Sequence, residues 1–172
     1  MPGDDFADLY GRYIHRLLNY MRLRVSDETL AQDLVAASFE RAFAKRQQLR
    51  DPEAFAAWLF RIARNELNQH YRTQSLRGAH VPLLTIADLP DGSTPPDVQA
   101  ARQQELDELL VAVKSLSERE QEIIRLKFVG ELTNRAIAGV LRLREGHVAV
   151  ILYRAIRKLR AVLEVSDDAA SS

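Results

Sequence analysis

The sequence contains no cysteine among its 172 residues, which excludes disulfide bonds, thiolate catalysis and cysteine-ligated zinc. It also has no apolar run of the roughly 18 residues that a membrane-spanning helix needs. The acidic start, Met1–Asp5, has no apolar stretch behind it and therefore lacks the pattern of a secretory signal. From these absences we expect a cytoplasmic protein that does not enter a membrane.

The usual sequence patterns of enzymes are missing as well. The four histidines are scattered, and no pair of them has the spacing of metal ligands. There is no glycine-rich phosphate loop and no nucleophile motif. We therefore expect neither catalysis nor a bound metal or cofactor.

Helical periodicity is present on both sides of one irregular segment. Apolar residues recur at intervals of three and four over residues 4–76 and again over 101–164. Residues 77–100 hold glycine, proline, serine and aspartate without any period, which is typical of a linker. The sequence predicts an all-α fold with two small helical domains, residues 1–76 and 101–164, a flexible linker over 77–100 and a disordered tail over 165–172.

Polar residues at helix starts place several boundaries. The predicted N-terminal caps are Ser26 or Asp27, Asp51, Ser117 and Thr133. Ser117 and Glu120 have the spacing of a capping box, in which each side chain bonds the other residue's backbone amide. We expect the helix that Ser117 opens to carry Phe128 on its apolar stripe and to end at Gly130.

The second domain ends in the pattern of a helix-turn-helix. A turn from Arg142 to Glu145 separates two helical stretches, and residues 141–160 hold six cations against one acid, a net charge of +5. The major groove of DNA admits one helix, and basic side chains beside it neutralise phosphates. The same pattern also fits an ordinary helical hairpin, so DNA binding is an interpretation of this segment rather than its only explanation.

A third predicted helix, which begins near Pro52, has an apolar stripe and an opposite polar face. The polar face holds arginines, amides and one aromatic ring: Arg61, Arg64, Asn65, Asn68, Tyr71 and Arg72. Such a face suits unpaired bases, because cations hold the backbone, amides bond the base edges and a ring stacks on a base. Taken alone, however, a solvated helix face explains this composition better.

Four motifs in succession resemble those of the extracytoplasmic-function (ECF) sigma factors, which are bacterial specificity subunits of RNA polymerase. The motifs are Leu9–Tyr13, Leu30–Phe43, Trp58–Asn65 and Leu116–Phe128. Their order and spacing across the proline-rich segment are more specific than any one of them. The resemblance covers nearly the whole chain and implies a non-enzymatic factor for transcription initiation.

The resemblance implies partners and contact residues. The partners are core RNA polymerase, through the clamp of its largest subunit and its flap, promoter DNA, and an anti-sigma factor. Asp33 and Glu40 are the candidate contacts to the clamp. The −10 element would meet Arg61, Arg64, Asn65, Asn68, Tyr71 and Arg72. The −35 element would meet Thr133, Arg144, His147, Tyr153, Arg154, Arg157 and Lys158.

Three features depart from the family's pattern. Ala149 and Val150 lie in the recognition helix where polar residues are usual, and they can make only apolar base contacts. Arg142 lies in a turn that often holds glycine, where a positive φ would be uncommon for arginine. The docking helix is poor in acids, so phosphorylation of Ser38 is one hypothesis for added charge. The alternative is that Ser38 is a half-buried helix residue.

Two other functions stay open at this point. A helix-turn-helix regulator would bind duplex DNA without using core polymerase. A protein-binding adaptor would use the apolar stretch Ala149–Ile151 to meet another protein. Both classes differ from a sigma factor in that neither binds core polymerase stably.

Overall fold

A computed structural model of the chain describes residues 3–76, 109 and 111–170. Within those ranges the regular structure is all helical, which confirms the predicted fold class. The α-helices are α1 (Gly3–Arg22), α2 (Glu28–Ala44), α3 (Phe55–Leu76), α4 (Glu118–Ile124), α5 (Asn134–Leu141) and α6 (Glu145–Ala170). Two 3₁₀ turns, Arg46–Gln48 and Pro52–Ala54, precede α3, and a π-helix, Arg125–Val129, directly follows α4. None of the helices described is both long and apolar enough to cross a bilayer.

Contacts group the described residues into two compact units. The first contains α1, α2, α3 and residues 125–145, and the second contains residues 109, 111–124 and 146–170. Residues 125–145 fall in the first unit because α5 packs against α3. The predicted linker, residues 77–100, lies outside the described residues.

The core of the first unit is formed where α3 packs on α1 and α2. The predicted apolar stripe of α3 is buried at Phe55, Leu59, Ile62, Ala63 and Leu67, whereas Trp58, which was predicted with them, is partly exposed. At the start of α1, Phe6 meets the rings of Phe39, Phe43 and Phe55 edge to face, with centroids 5.1 to 6.5 Å apart. Burying each large apolar side chain contributes about 1.5–3 kcal/mol, so this stripe fixes which side of α3 faces inward.

The turn between α1 and α2 is closed by local polar contacts. The carboxylate of Asp27 accepts a hydrogen bond from the backbone N–H of Thr29 at 2.9 Å, so Asp27 rather than Ser26 caps α2. The guanidinium of Arg22 pairs with Glu28 at 2.6 Å. Their hydrogen bond raises the pKa of Arg22 and lowers the pKa of Glu28. Asp51 accepts from the N–H of Glu53 at 2.9 Å and opens the 3₁₀ turn before α3, as predicted.

The segment after the π-helix approaches α3 closely through glycines. A Cβ on Gly139 would lie 3.3 Å from the Cβ of Ala57, and one on Gly130 would lie 2.9 Å from the ring of Phe60. The apolar residues of the segment are buried: Leu132, Ile137, Ala138 and Val140. Glycine at the two contact points thus lets α5 bury its apolar side.

The structure corrects one local prediction. The helix opened by Ser117 does not stay α-helical to Gly130, because the N–H of Gly130 bonds the carbonyl of Arg125, five residues earlier. This wider turn changes the helical period, so Phe128 is 59% exposed instead of lying on the apolar stripe. Residues 165–170 of the predicted tail are described as the last part of α6, which ends at Ala170. No glycine or proline follows Gly146 to interrupt that helix.

The end of α5 holds a residue in an unfavourable backbone conformation. Arg142 has φ 56° and ψ 45°, and its backbone N–H donates to the carbonyl of Ala138. This is the left-handed helix ending that usually takes glycine. A positive φ in this turn was expected to be uncommon for arginine. Arg142 does adopt the positive φ, at a cost of about 1–2 kcal/mol.

We expect Arg142→Gly to raise the free energy of unfolding by about 0.5–1 kcal/mol, because glycine adopts this conformation without a Cβ clash. The measurement is urea unfolding followed by circular dichroism. Arg135→Gly is the control, since Arg135 is exposed inside α5 and glycine there should cost about 1 kcal/mol. A loss of stability in both variants would contradict the assignment of strain to Arg142.

Candidate nucleic-acid interface

The polar face of α3 is directed away from the core of the first unit. Asn65, Asn68 and Arg72 are exposed, and Arg61 and Arg64 are partly exposed. Residues three and four apart are neighbours on a helix surface, so these side chains form one continuous ridge. Arg41 of α2 pairs with Glu66 of α3 at 2.8 Å. This ion pair ties α3 to α2 next to the ridge. The sequence-predicted set is therefore brought together on one rigid element.

An open cavity of about 720 Å³ lies along this ridge. Its lining residues are Asn65, Asn68, Gln69, Tyr71 and Arg72. Gln69 was not among the predicted residues, although its position four residues after Asn65 is a signal that could have found it. Amide side chains both donate and accept hydrogen bonds, which matches the mixed edges of unpaired bases.

Tyr71 has a structural contact that the sequence did not indicate. Its hydroxyl donates a hydrogen bond to the backbone carbonyl of Arg24, in the turn after α1. The side chain is half-buried, and this burial raises the pKa of Tyr71. Tyr71 therefore ties α3 to the rest of the first unit while it lines the cavity, and its hydroxyl is not available to DNA in this structure.

Helix α2 presents the two acids predicted to meet polymerase. Asp33 and Glu40 are both exposed, and their separation of seven residues places them on the same side, about 10 Å apart along the axis. Ser38 is fully buried, and its hydroxyl donates to the carbonyl of Leu34 at 2.6 Å. A modifying enzyme cannot reach a hydroxyl in that position. The phosphorylation hypothesis for Ser38 is therefore not supported, and the residue is a packed helix position.

Two of the seven residues predicted for the −35 element belong to the first unit. The hydroxyl of Thr133 accepts a hydrogen bond from the backbone N–H of Ala136 at 3.1 Å, so Thr133 caps α5 as predicted. Arg144 is exposed immediately before α6. The cap thus has a local structural role, while the side chain of Arg144 reaches solvent.

The other five residues lie on α6, in the second unit, and all are exposed: His147, Tyr153, Arg154, Arg157 and Lys158. The guanidinium of Arg157 lies 5.9 Å from the ring centroid of Tyr153, in a cation–π contact. Val150 is 47% exposed and Tyr153 63% exposed. Because these residues are three and four apart, they share the outward side of the helix with Arg157.

Lys158 completes a polar cluster inside the second unit. Its Nζ lies 2.7 Å from Oε1 of Glu120. Oε2 of Glu120 accepts bonds from the N–H and the hydroxyl of Ser117, both at 2.9 Å, while the N–H of Glu120 donates to Ser117 Oγ at 3.3 Å. The predicted capping box is confirmed, and Lys158 ties α6 to it. Its hydrogen bond is the main cause that lowers the pKa of Glu120.

Comparison with known proteins identifies the family. The family model described as Sigma-70 region 2 matches residues 9–77, and the one described as Sigma-70, region 4 matches residues 112–161. The ECF RNA polymerase sigma factor SigL of Mycobacterium tuberculosis is 31% identical over 159 residues, which cover 91% of this chain and 87% of SigL. The chain belongs to the ECF sigma factor family. The resemblance found in the sequence is thereby confirmed.

One further relative agrees with the assignment of this chain to the ECF sigma factors, and one solved structure shares its fold. The ECF RNA polymerase sigma factor BldN of Streptomyces coelicolor is 31% identical over 171 residues, and the match covers 97% of this chain but 62% of BldN. The sigma factor RpoE of Bartonella quintana, solved with the anti-sigma factor NepR, shares the fold with a TM-score of 0.69 and 23% identity. That likeness covers 94% of this chain and 98% of RpoE. The residues of the α3 ridge lie within the match to region 2, and α6 as far as residue 161 lies within the match to region 4.

We expect Glu120→Gln to lower stability at neutral pH, with a deficit that shrinks under acid. The folded pKa of Glu120 lies below its ordinary value of 4.5, so the unfolded state takes up its proton first as the pH falls. The contribution of the carboxylate is thus full above pH 4.5 and is lost as the pH falls through the folded pKa. Thermal unfolding from neutral pH to about pH 3 measures the difference between parent and variant.

Glu118→Gln is the matched control for this titration, because Glu118 is an exposed acid in the first turn of the same helix. It should change the unfolding temperature little at any pH. An equal effect of the two substitutions, or a deficit of Glu120→Gln that does not depend on pH, would contradict the role given to the cluster of Ser117, Glu120 and Lys158.

Proposed function

We propose that this sigma factor binds core RNA polymerase and directs promoter recognition, melting and transcription initiation, in the cytoplasm and without catalysing a reaction itself. Region 2, within residues 1–76, would bind the polymerase clamp and the −10 element, and region 4, within residues 101–164, would bind the −35 element and the flap. The observation that carries this proposal is the ridge of amides and arginines on α3, beside a cavity of about 720 Å³.

The −10 element is assigned to this ridge: Arg61, Arg64, Asn65, Asn68, Tyr71 and Arg72, with Gln69 added by the structure. Taking a base out of the stack costs a few kcal/mol, which new hydrogen bonds and stacking must offset. Asn65 and Asn68 are exposed amides at the cavity and supply such bonds. The arginines supply the charge that holds the separated strand.

Polymerase contact is assigned to the exposed acids of α2, Asp33 and Glu40. A basic clamp surface attracts them, and charge complementarity of this kind sets association rate and orientation. The neighbouring Arg41 is paired with Glu66, so its charge is directed toward α3.

Region 4 is assigned to the −35 duplex. Thr133 and Arg144 precede α6, and His147, Tyr153, Arg154, Arg157 and Lys158 lie on it. Of the α6 set, Arg154 and Arg157 are the strongest candidates for phosphate contact, because Lys158 is already paired with Glu120.

An anti-sigma factor is proposed as the regulating partner. Support comes from RpoE of Bartonella quintana, which shares the fold and was solved in complex with the anti-sigma factor NepR.

We expect the charge reversals Asp33→Lys and Glu40→Lys, made together, to weaken binding to core polymerase by about tenfold or more at low salt, because like charges then face the clamp. Binding is measured by fluorescence anisotropy of the labelled full-length protein. Asp8→Lys is the matched control, since Asp8 is an exposed acid on α1. Equal weakening by the control would show a general charge effect and contradict the assigned docking face.

Asn65→Ala and Asn68→Ala are each expected to reduce open-complex formation by roughly 5- to 150-fold, the equivalent of a lost base contact, while core binding stays unchanged. Open complexes are measured by permanganate footprinting on a promoter selected with the parent protein. Thr73→Ala, exposed on the same helix, is the control and should behave as the parent. Normal opening by both asparagine variants would contradict the role of the ridge.

A further inference from the structure

The first two turns of α6 present few groups that could hydrogen-bond a base edge. Their exposed residues are Glu145, Gly146, His147, Ala149 and Val150, whereas Val148 is buried. Within these described turns, His147 is the one side chain with a nitrogen donor. Nothing lies within 4 Å of the position of a Cβ on Gly146, so the side chain of Val150 projects next to open space.

The surroundings of Val150 on α6 are basic. Gly146, Val150, Tyr153 and Arg157 are spaced by three and four residues and so share one side of the helix. Between Glu145 and Glu164 there is no acid and there are four cations: Arg154, Arg157, Lys158 and Arg160. Arg157 follows Val150 by seven residues, about 10 Å along the axis, which is close to the width of the major groove.

These observations favour duplex DNA over an apolar protein as the occupant of this face. Val150 with its exposed neighbours Ala149 and Tyr153 forms a small apolar area flanked by arginines. The centre of a protein interface, in contrast, is depleted of charge. A polyanion instead satisfies the cations, and one of its bases carries an apolar group in the major groove. That group is the 5-methyl of thymine.

We propose that Val150 reads a thymine methyl group in the −35 duplex. The −35 preference of this sigma factor then rests partly on an apolar contact. A polar side chain at the same position would instead form paired hydrogen bonds with a base edge. This inference rests on the function proposed above and adds to it the base that α6 selects. Arg154 and Arg157 hold the phosphates and fix the helix so that the valine meets the methyl group.

The experiment uses full-length protein with core polymerase and a promoter library randomised over the −35 region. Sequences that support transcription are enriched, and each thymine of the enriched −35 element is then replaced by uracil, which removes the methyl group and keeps the base pair. We expect one replacement to lower open-complex formation by about three- to fivefold, the equivalent of one buried methyl group. Val150→Ser should transcribe both templates equally.

Val111→Ser is the matched control, because Val111 is a 65% exposed valine outside α6. It should keep the parent's sensitivity to uracil. Transcription that is indifferent to every uracil replacement overturns the inference and leaves the sigma factor function intact. If Val150→Ser keeps the uracil effect and instead loses a protein partner, the face binds protein and the inference is wrong. Failure to transcribe from any member of the library overturns the proposed function itself.

Discussion

The placement of the polar ridge on α3 depends on one constraint, which is that α3 can bury a single side. With 3.6 residues per turn, most apolar positions from Phe55 to Leu67 recur on one side. All of the large ones except the partly exposed Trp58 are buried. The polar residues on the opposite side of the helix then face outward. Asn65, Asn68 and Arg72 are exposed because their apolar neighbours are buried, so the core fixes the orientation of the candidate DNA-binding face.

Several polar side chains are held by contacts within their own unit. The hydroxyl of Tyr71 bonds the backbone at Arg24, and Glu66 pairs with Arg41, so the ridge is held at two points along α3. In the second unit, Lys158 pairs with Glu120. A group already held in place loses less conformational entropy when a ligand binds, which favours recognition by a preorganised surface.

Local features were predictable from the sequence, and contacts between distant residues were not. The caps at Asp27, Asp51 and Thr133 and the box of Ser117 with Glu120 depend on residues within three positions of each other. Their chemistry is therefore visible in the sequence. The face of α3 was also predictable, because its apolar residues recur with the helical period from Phe55 to Leu67.

The features that sequence reasoning missed depend on packing across the fold. Tyr71 and Arg24 are 47 residues apart, and Lys158 and Glu120 are 38 apart. The exposure of Phe128 follows from a change of helical period over Arg125–Val129. That segment contains no glycine or proline from which the change could be predicted. Sequence patterns predict which residue types share a face, but the partner that each polar group finds is decided by the three-dimensional arrangement.

The contact of α5 with α3 shows how the first unit tolerates local strain without covering the ridge. Glu131 and Arg142, on either side of α5, both have a positive φ, which together costs about 2–4 kcal/mol. Burial of Leu132, Ile137 and Val140 contributes about 1.5–3 kcal/mol each and outweighs that cost. Gly139 of α5 lies close to Ala57, and Gly130, before α5, lies close to Phe60. Both contacts are in the first two turns of α3. Asn65 lies at least one turn beyond them and stays exposed. The residues that pack against the segment around α5 and the exposed candidate DNA-binding residues therefore occupy different parts of one helix.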